Sequence, residues 1–241
     1  MYRVGIKVAD TLLTVNIEEA GYDGNHAAIK EIEFSVEAGK MTGLIGPNGA
    51  GKSTTIKTIM GLLTDMKGTV NFVRPGTHYA YIPEQPVYYE TLTLWEHLSL
   101  ASAVYGMDES VLEREGNALL ERFRMTEVKH HLPDGFSKGM RQKMMLMIGF
   151  LIRPDIYIVD EPFVGLDPRA TNDFLVLLEE ERQRGAGVLM CTHVLDTAER
   201  ICDDFVLLAD GRMVVRGKLD DVRGLASLPE GTLFDCFNAL T

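Results

Sequence analysis

The sequence predicts an α/β fold with a mostly parallel sheet and an inserted helical subdomain. Three short segments, residues 41–45, 156–159 and 187–191, are largely apolar, as is typical of strands that a parallel sheet buries on both faces. Each is followed along the chain by a segment with helical signals. Between the first two of these strand–helix units, residues 87–152 show mainly helical patterns, so we expect a helical insertion there.

The N-terminal part of the chain contains one further strand signal. Residues 30–37 alternate strictly between apolar and polar side chains, which predicts a strand with one buried face. A turn at Gly39 leads into the first buried strand. A glycine-rich stretch then separates that strand from a predicted helix over residues 53–63.

The middle block contains three predicted helices. The first covers residues 93–105, where Thr93 and Glu96 have the spacing of a capping box. Residues 108–123 form a more charged helix with apolar residues near helical spacing. Residues 140–152 form the third.

The C-terminal part returns to alternating strands and helices. Asp167 and Pro168 suit the N-cap and first position of a helix. Another helix is predicted at residues 195–202, and strands at 205–209 and 212–216 flank an Asp-Gly hairpin turn. The last residues, 221–241, are predicted to form a short C-terminal tail.

Length and composition set the class of protein. The 241 residues suit one large domain, which we place at residues 1–220, with the helical subdomain inserted at about 87–152 and a short tail at 221–241. The formal net charge of -11 argues against nucleic acid as the main partner and against adhesion to an anionic membrane, because both attract clustered Lys and Arg.

The chain shows no signal for secretion or membrane insertion. Residues 1–13 have charges in every apolar stretch, unlike a signal peptide. The most apolar segment, residues 144–159, is interrupted by Arg153 and Asp155 and is shorter than the roughly 18 apolar residues of a spanning helix. The three cysteines are too dispersed for a disulfide framework, which indicates a reducing compartment. We therefore expect a cytoplasmic protein that reaches a membrane only through another chain.

A phosphate-binding loop lies between the first buried strand and its helix. The segment fits the pattern G-x-x-x-x-G-K-[ST], in which backbone N–H groups at a helix N-terminus bind phosphate oxygens. Its lysine can reach the β- and γ-phosphates, and its serine hydroxyl can bind Mg²⁺. A chance match is expected in roughly one chain in a hundred of this length. The predicted nucleotide-binding residues here are Gly46, Pro47, Asn48, Gly49, Ala50, Gly51, Lys52, Ser53 and Thr54.

Two acidic residues end the second buried strand. Asp160 and Glu161 follow residues 156–159, so a parallel sheet would bring their carboxylates to the edge where the phosphate loop opens. Asp160 is then placed to hold Mg²⁺ and Glu161 to polarise an attacking water. A solvated strand end is the ordinary alternative for such a pair, and the phosphate loop upstream favours the functional interpretation.

Five further features, at matching order and spacing, resemble the ABC ATPase family. Residues 136–142 resemble its signature motif, and residues 165–168 resemble its D-loop. His193 matches the switch histidine, residues 83–86 the Q-loop, and Tyr22 the aromatic that stacks on adenine. The resemblance covers nearly the whole chain and implies a P-loop NTPase core with an N-terminal antiparallel β region.

This resemblance implies a set of roles. ATP and Mg²⁺ would be the cofactors, His193 would contact the γ-phosphate, and Lys52 and Glu161 would serve hydrolysis. In the family, the signature, here Ser137, Lys138 and Gly139, contacts ATP bound to the opposite subunit, with the D-loop residue Asp167 nearby. That implies a head-to-tail pair of nucleotide-binding subunits, for which a homodimer of this chain is expected and a heterodimer with a related subunit is the alternative.

Two residues depart from the family pattern. Lys138 stands where most members have glycine, and a long cation there would either help to bind phosphate or obstruct the close approach of the backbone. In the preferred alignment Glu84 takes the position of the Q-loop glutamine, where it could touch Mg²⁺, and Gln85 follows it. With these departures the chain is similar to the ATPase subunits of bacterial Ecs-type exporters.

The resemblance leads to one expected function and several alternatives. The expected function is ATP hydrolysis that powers a membrane transporter, an exporter, through an integral-membrane permease subunit. The alternatives are a soluble ABC-type ATPase and a nucleotide-binding regulatory subunit without hydrolysis. A simple GTPase is disfavoured because no N-K-x-D guanine motif is present. The cargo is not encoded in this chain.

Overall fold

The computed structural model describes residues 11–22, 27–74 and 76–241, and within them a sheet of nine strands carries eight α-helices. The prediction about a signal peptide therefore falls mostly on residues outside this range. The strands are β1 (Thr11–Gly21), β2 (Ile29–Glu37), β3 (Met41–Ile45), β4 (Asp65–Phe72), β5 (Tyr79–Ile82), β6 (Ile156–Asp160), β7 (Gly187–Thr192), β8 (Asp204–Ala209) and β9 (Arg212–Gly217). The helices are α1 (Lys52–Ile59), α2 (Leu94–Val104), α3 (Glu109–Phe123), α4 (Lys138–Leu151), α5 (Pro168–Arg184), α6 (Leu195–Ile201), α7 (Leu219–Ala226) and α8 (Leu233–Leu240).

The sheet confirms the predicted fold class. Its strand order is β4-β1-β2-β9-β8-β3-β7-β6-β5. The strands from β8 through β3, β7 and β6 to β5 pair in parallel, whereas β1 pairs antiparallel with both β2 and β4. The chain thus has a parallel core with an antiparallel N-terminal region.

The strand order brings three loops to one edge of the sheet. Strand β3 lies beside β7, and β7 lies beside β6, all in parallel. Because parallel strands end at the same edge, the segments that follow β3, β6 and β7 open side by side. These segments carry the phosphate loop, the two acidic residues and His193.

Helices α2, α3 and α4 form the inserted helical subdomain, and its core is continuous with one face of the sheet. Leu98 and Phe123 share a buried cluster with Met147 of the methionine-rich run and with Tyr157 of β6. The first helix carries the predicted capping box, in which Thr93 accepts a hydrogen bond from the backbone of Glu96. The three helices are therefore packed onto the core.

Some boundaries differ from the sequence predictions. Helix α1 ends at Ile59, because Gly61 takes up a left-handed conformation (φ 70°) that breaks the helix before the predicted end at residue 63. Strands β1, β4 and β5 were not predicted. Strand β4 is largely exposed and therefore lacks the apolar alternation by which strands are recognised. Helices α7 and α8 pack with α6 and β8 through a third apolar cluster.

None of the described helices has the length and apolar character to span a bilayer. All three cysteines are free thiols, with Cys191 and Cys236 buried and Cys202 partly buried. Burial raises the pKa of the Cys191 thiol, which keeps it protonated and unreactive.

Candidate nucleotide-binding site

The loop between β3 and α1 has the backbone shape that phosphate binding requires. Gly49 and Gly51 are in the left-handed region, with φ of 86° and 103°. A Cβ at Gly51 would lie 2.5 Å from the Ile29 side chain, and one at Gly46 would lie 2.4 Å from the Leu208 carbonyl oxygen. Only glycine fits at both positions, so the loop can curl tightly in front of the N-terminus of α1, which attracts anions.

Lys52 and Ser53 are the first two residues of α1, and their side chains have different surroundings. The Lys52 side chain is buried, and its ammonium donates to the carbonyl oxygens of Gly46 (2.7 Å) and Pro47 (3.2 Å). Its charge is thus held against the loop where phosphate would bind. Ser53 is exposed, so its hydroxyl is free to bind a metal ion, and Thr54 lies buried behind it.

Asp160 ends β6 as a buried carboxylate, 5% exposed. Burial raises its pKa, and the charges of Glu161 and Glu84 raise it further. A carboxylate destabilised in this way gains most from a nearby cation. Together with the Ser53 hydroxyl it forms the oxygen donor set that Mg²⁺ uses when phosphates and waters complete its shell, so these residues fit a Mg²⁺–nucleotide complex.

Glu161 is held rigidly beside His193. Its Oε1 lies 2.6 Å from His193 Nδ1, and its Oε2 accepts a hydrogen bond of 3.1 Å from Thr192 Oγ1. Its own backbone N–H donates to the Cys191 carbonyl (2.9 Å), and its φ of 46° is a left-handed conformation that costs about 1–3 kcal/mol in a residue other than glycine. Such strain at a buried carboxylate is typical of functional sites.

His193 is half-exposed, with a side-chain accessibility of 48%. The sequence analysis expected it to contact the γ-phosphate, and the structure adds that one ring nitrogen is bound to Glu161. Among the described residues, the other ring nitrogen has no hydrogen-bond partner. The contact with a phosphate remains a prediction.

Tyr22 lies beside the first turn of α1. Its hydroxyl is 3.4 Å from Thr54 Oγ1 and accepts a hydrogen bond of 3.4 Å from Lys57 Nζ. The Lys57 ammonium also lies 5.3 Å from the ring centroid. The half-exposed ring is therefore adjacent to the phosphate loop, at a place where a purine could stack on it.

The segment after β5 brings Glu84 to the site. The charge of Glu84 raises the pKa of both Asp160 and Tyr81, which indicates that its carboxylate faces the end of β6. Gln85 is exposed, and no hydrogen bond to it is found among the described residues. Of these two exposed residues, Glu84 is thus the one whose charge acts on Asp160.

Gln142 lies in the segment that resembles the signature, but the sequence analysis assigned no role to it. It is fully buried in α4, and its Nε2 donates to the Pro83 carbonyl at 3.3 Å. Its Oε1 is buried without a partner among the described residues. Gln142 thus links the helix that begins at the signature to the loop that carries Glu84. The signal that could have revealed it was a polar side chain just before the apolar run of residues 144–151 on the same helix.

The signature and the D-loop pack on each other. Ser137 caps α4 through the Met140 backbone (3.3 Å), and a Cβ at Gly139 would lie 2.5 Å from the Gly165 carbonyl oxygen. Asp167 caps α5 and accepts a hydrogen bond of 2.9 Å from Lys143 of α4. Both interactions lower the pKa of Asp167, the α5 cap more strongly.

The structure separates the predicted site residues into two groups. Lys52, Ser53, Asp160, Glu161 and His193 meet at one edge of the sheet. By contrast, no hydrogen bond within the described part of the chain joins residues 137–139 to the phosphate loop. One chain therefore presents a nucleotide site and a separate signature surface.

Comparison with known proteins identifies the family. The sequence profile of the ABC transporter family matches residues 29–164, which include the phosphate loop and the two acidic residues. The chain belongs to the ABC transporter family. It is an ATP-binding subunit of this family, and it has the mixed α/β ABC ATPase fold.

Relatives match this ATP-binding subunit along most of its length. It is 49% identical over 226 residues to the ABC transporter ATP-binding protein YthP of Bacillus subtilis, covering 94% of this chain and 95% of that protein. It is 43% identical over 240 residues to the ABC-type transporter ATP-binding protein EcsA of the same organism, covering 96% and 97%. A solved ATP-binding subunit of an ABC transporter, 44% identical, superposes with a TM-score of 0.90 over 95% of this chain and 99% of that one.

Proposed function

We propose that this subunit hydrolyses Mg²⁺-bound ATP and powers an exporter in the membrane, working as a head-to-tail dimer of two copies. The observation that carries the proposal is the convergence of Lys52, Asp160 and the Glu161–His193 pair at one edge of the sheet. Phosphoryl transfer requires this combination of an anion cradle, a metal ligand and a water-activating base.

The phosphate loop and Lys52 bind the nucleotide. Backbone N–H groups of residues 46–53 and the N-terminus of α1 hold phosphate oxygens, while Lys52 neutralises their charge. Ser53 and Asp160 are the residues that would hold Mg²⁺, which supplies charge stabilisation at the transferred phosphoryl group when bound. Tyr22 stacks on the adenine ring.

Glu161 activates the attacking water. Its Oε2 is occupied by Thr192 and its Oε1 by His193, so the carboxylate is held in one orientation (3.1 and 2.6 Å). A fixed carboxylate polarises water more effectively than a mobile one, because its orientation costs no entropy at the moment of reaction. His193 orients Glu161 through Nδ1 and turns its other nitrogen to the γ-phosphate.

Closure of the dimer completes the site. Because the signature surface of one chain lies apart from its own phosphate loop, the site receives Ser137 and Gly139 from the other chain. Closure excludes water from the phosphates and strengthens the electrostatic interactions there. Hydrolysis then opens the dimer.

The helical subdomain offers a surface for the membrane partner. A cavity of about 460 Å³ lies between β5, α2 and α4, and a neighbouring one of about 330 Å³ lies between residues 87–89, α2 and α4. Both are lined by Ala101 and Ile148. His97 and Tyr89 both line the smaller cavity, and the Nε2 atom of His97 accepts a hydrogen bond of 3.0 Å from the backbone N–H of Tyr89. The exposed apolar side chains that border the cavities are Val87, Tyr89, Leu100 and Tyr105.

Export and location are proposed from the resemblance to Ecs-type exporters, since EcsA is 43% identical. The subunit would lie at the cytoplasmic face of the membrane, held by the permease. The test is purification of the tagged chain from gently solubilised membranes of its host, with ATPase activity measured on the eluate. A stoichiometric polytopic membrane protein is expected. Recovery with cytosolic proteins alone would overturn the transporter proposal in favour of a soluble ABC-type ATPase.

A further inference from the structure

The nucleotide site carries more negative charge than its own lysine balances. Asp160 and Glu161 stand at the end of β6, and Glu84 follows its parallel neighbour β5, whose Ile82 pairs with Val159, so the three residues lie at the same edge of the sheet. Burial and the charges of both glutamates raise the pKa of Asp160. Among the described residues, Lys52 supplies the opposing charge, and its ammonium is bound by two loop carbonyls. Nucleotide phosphates add further negative charge, of which a bound Mg²⁺ would offset two units, so closure of the site still favours an additional cation.

Within residues 11–22, 27–74 and 76–241, Glu84 has no cationic partner. It is exposed, and no ion pair with it is found among the described residues. It stands where the Q-loop of the family has a neutral glutamine, so this chain has gained one negative charge beside the phosphates. An unpaired carboxylate here repels the nucleotide unless closure brings a positive group to it.

Lys138 is an unpaired cation on the surface that the proposed dimer brings to this site. It is exposed at the first position of α4, and within the described part of the chain it forms no ion pair. Its stem lies along the D-loop, since a Cβ at Gly165 would lie 3.3 Å from Lys138 Cγ and 3.6 Å from Cε. The D-loop therefore holds the stem of this side chain and leaves the ammonium exposed.

From these observations we infer that Lys138 of one copy pairs with Glu84 of a second copy when the dimer closes on ATP. The inference rests on the proposed head-to-tail dimer. The two departures from the family pattern then compensate each other across the interface, one adding a negative charge to the site and the other a positive charge to the surface that covers it. Since a single chain carries both, the pairing selects a second copy of this chain as the partner.

Charge reversal with mixing tests the pairing. In a Glu161→Gln background, which keeps ATP bound, we would measure the ATP-dependent dimerisation constant by analytical ultracentrifugation for Glu84→Lys and for Lys138→Glu. In a dimer of either variant alone, like charges face each other at both nucleotide sites. The dissociation constant of that dimer is therefore expected to rise by at least about tenfold. An equimolar mixture restores opposite charges at both interfaces and is expected to recover most of the affinity. The double variant Glu84→Lys/Lys138→Glu is expected to recover it as well.

The controls separate this inference from the proposed function. The affinity of each monomeric variant for ATP, measured by calorimetry, should equal that of the parent, so that a weaker dimer cannot be explained by weaker ATP binding. Glu230→Lys is the control variant, because it makes the same charge change at an exposed site in the C-terminal region. A mixture that dimerises no better than its components would overturn the pairing while leaving the dimer intact. If the Glu161→Gln parent itself fails to dimerise with ATP, the head-to-tail proposal and the pairing that rests on it are both wrong.

Discussion

The Nδ1 atom of His193 lies 2.6 Å from Oε1 of Glu161, although 32 residues separate them in the chain. The contact arises because β6 and β7 are parallel neighbours, so the residues that follow them meet at one edge. Thr192 Oγ1 holds the second carboxylate oxygen of Glu161 at 3.1 Å. The proposed catalytic base is thus held from two sides by residues of its own chain.

The first prediction concerns this orientation. His193→Ala should lower the turnover number for ATP on the order of a hundredfold, because the base loses its orienting partner. The dissociation constant for ATP should change little, since the phosphate loop is intact. His130→Ala, an exposed histidine elsewhere, is the matched control. Turnover within threefold of the parent would exclude His193 from this role.

The second prediction concerns Asp160. Its raised pKa means that the folded state binds a proton more tightly than the unfolded state, so this group destabilises the fold as pH rises above its ordinary pKa of 3.8. The full cost is reached once the pH exceeds the raised pKa of the folded state. Asp160→Asn should therefore leave the nucleotide-free protein at least as stable, and its melting temperature should no longer respond to Mg²⁺ in the presence of ATP. A large loss of stability without nucleotide would contradict this account of Asp160.

Gln142 gives the third prediction. Its Oε1 is buried and has no hydrogen-bond partner in the part of the chain that the structure describes, a situation that costs about 1–3 kcal/mol. Gln142→Met keeps the volume and removes the orphaned acceptor, so the free energy of unfolding should stay constant or rise. The bond to the Pro83 carbonyl is lost as well, and ATP-dependent dimerisation should weaken. Chemical denaturation and ultracentrifugation measure the two effects, with the exposed Gln183→Met as control. A stability loss above about 2 kcal/mol would show a purely structural role.

The fourth prediction concerns the membrane partner. Val87 is 76% exposed and lines the smaller cavity, so Val87→Asp adds a charge to the proposed docking surface without disturbing the core. The ATPase rate of the isolated subunit should not change, whereas co-purification with the permease should fall at least about tenfold. Leu225→Asp is the control, since Leu225 is also exposed but lies on α7. Equal losses from both variants would remove this surface from the docking site.

Local sequence signals predicted much of the fold and the site. Some features depend on residues only a few positions apart, so they can be recognised in the sequence. Examples are the phosphate loop, the capping box at Thr93 and the N-cap at Asp167. Strand β4 was missed because it is largely exposed, and β5 because it is short and its partner β6 lies far away in sequence. Strand β1 pairs with the neighbouring β2 and alternates between buried and exposed residues, so the sequence did contain a signal for it.

Long-range contacts could not be predicted in this way. The hydrogen bond between Gln142 and Pro83 joins residues 59 positions apart, and it exists only because α4 packs on the loop after β5. The Glu161–His193 contact likewise depends on strand order, which does not follow chain order in this sheet. Sequence identified the residues of the site, and the fold determined which of them touch.

The most direct test of the central claim is the steady-state rate of ATP hydrolysis by Glu161→Gln compared with the parent, with ATP binding measured on the same samples. The account predicts unchanged ATP affinity and a rate at least about a hundredfold lower, the usual contribution of a positioned base. A rate near that of the parent would show that Glu161 does not activate the water, and the mechanism proposed for this edge of the sheet would be wrong.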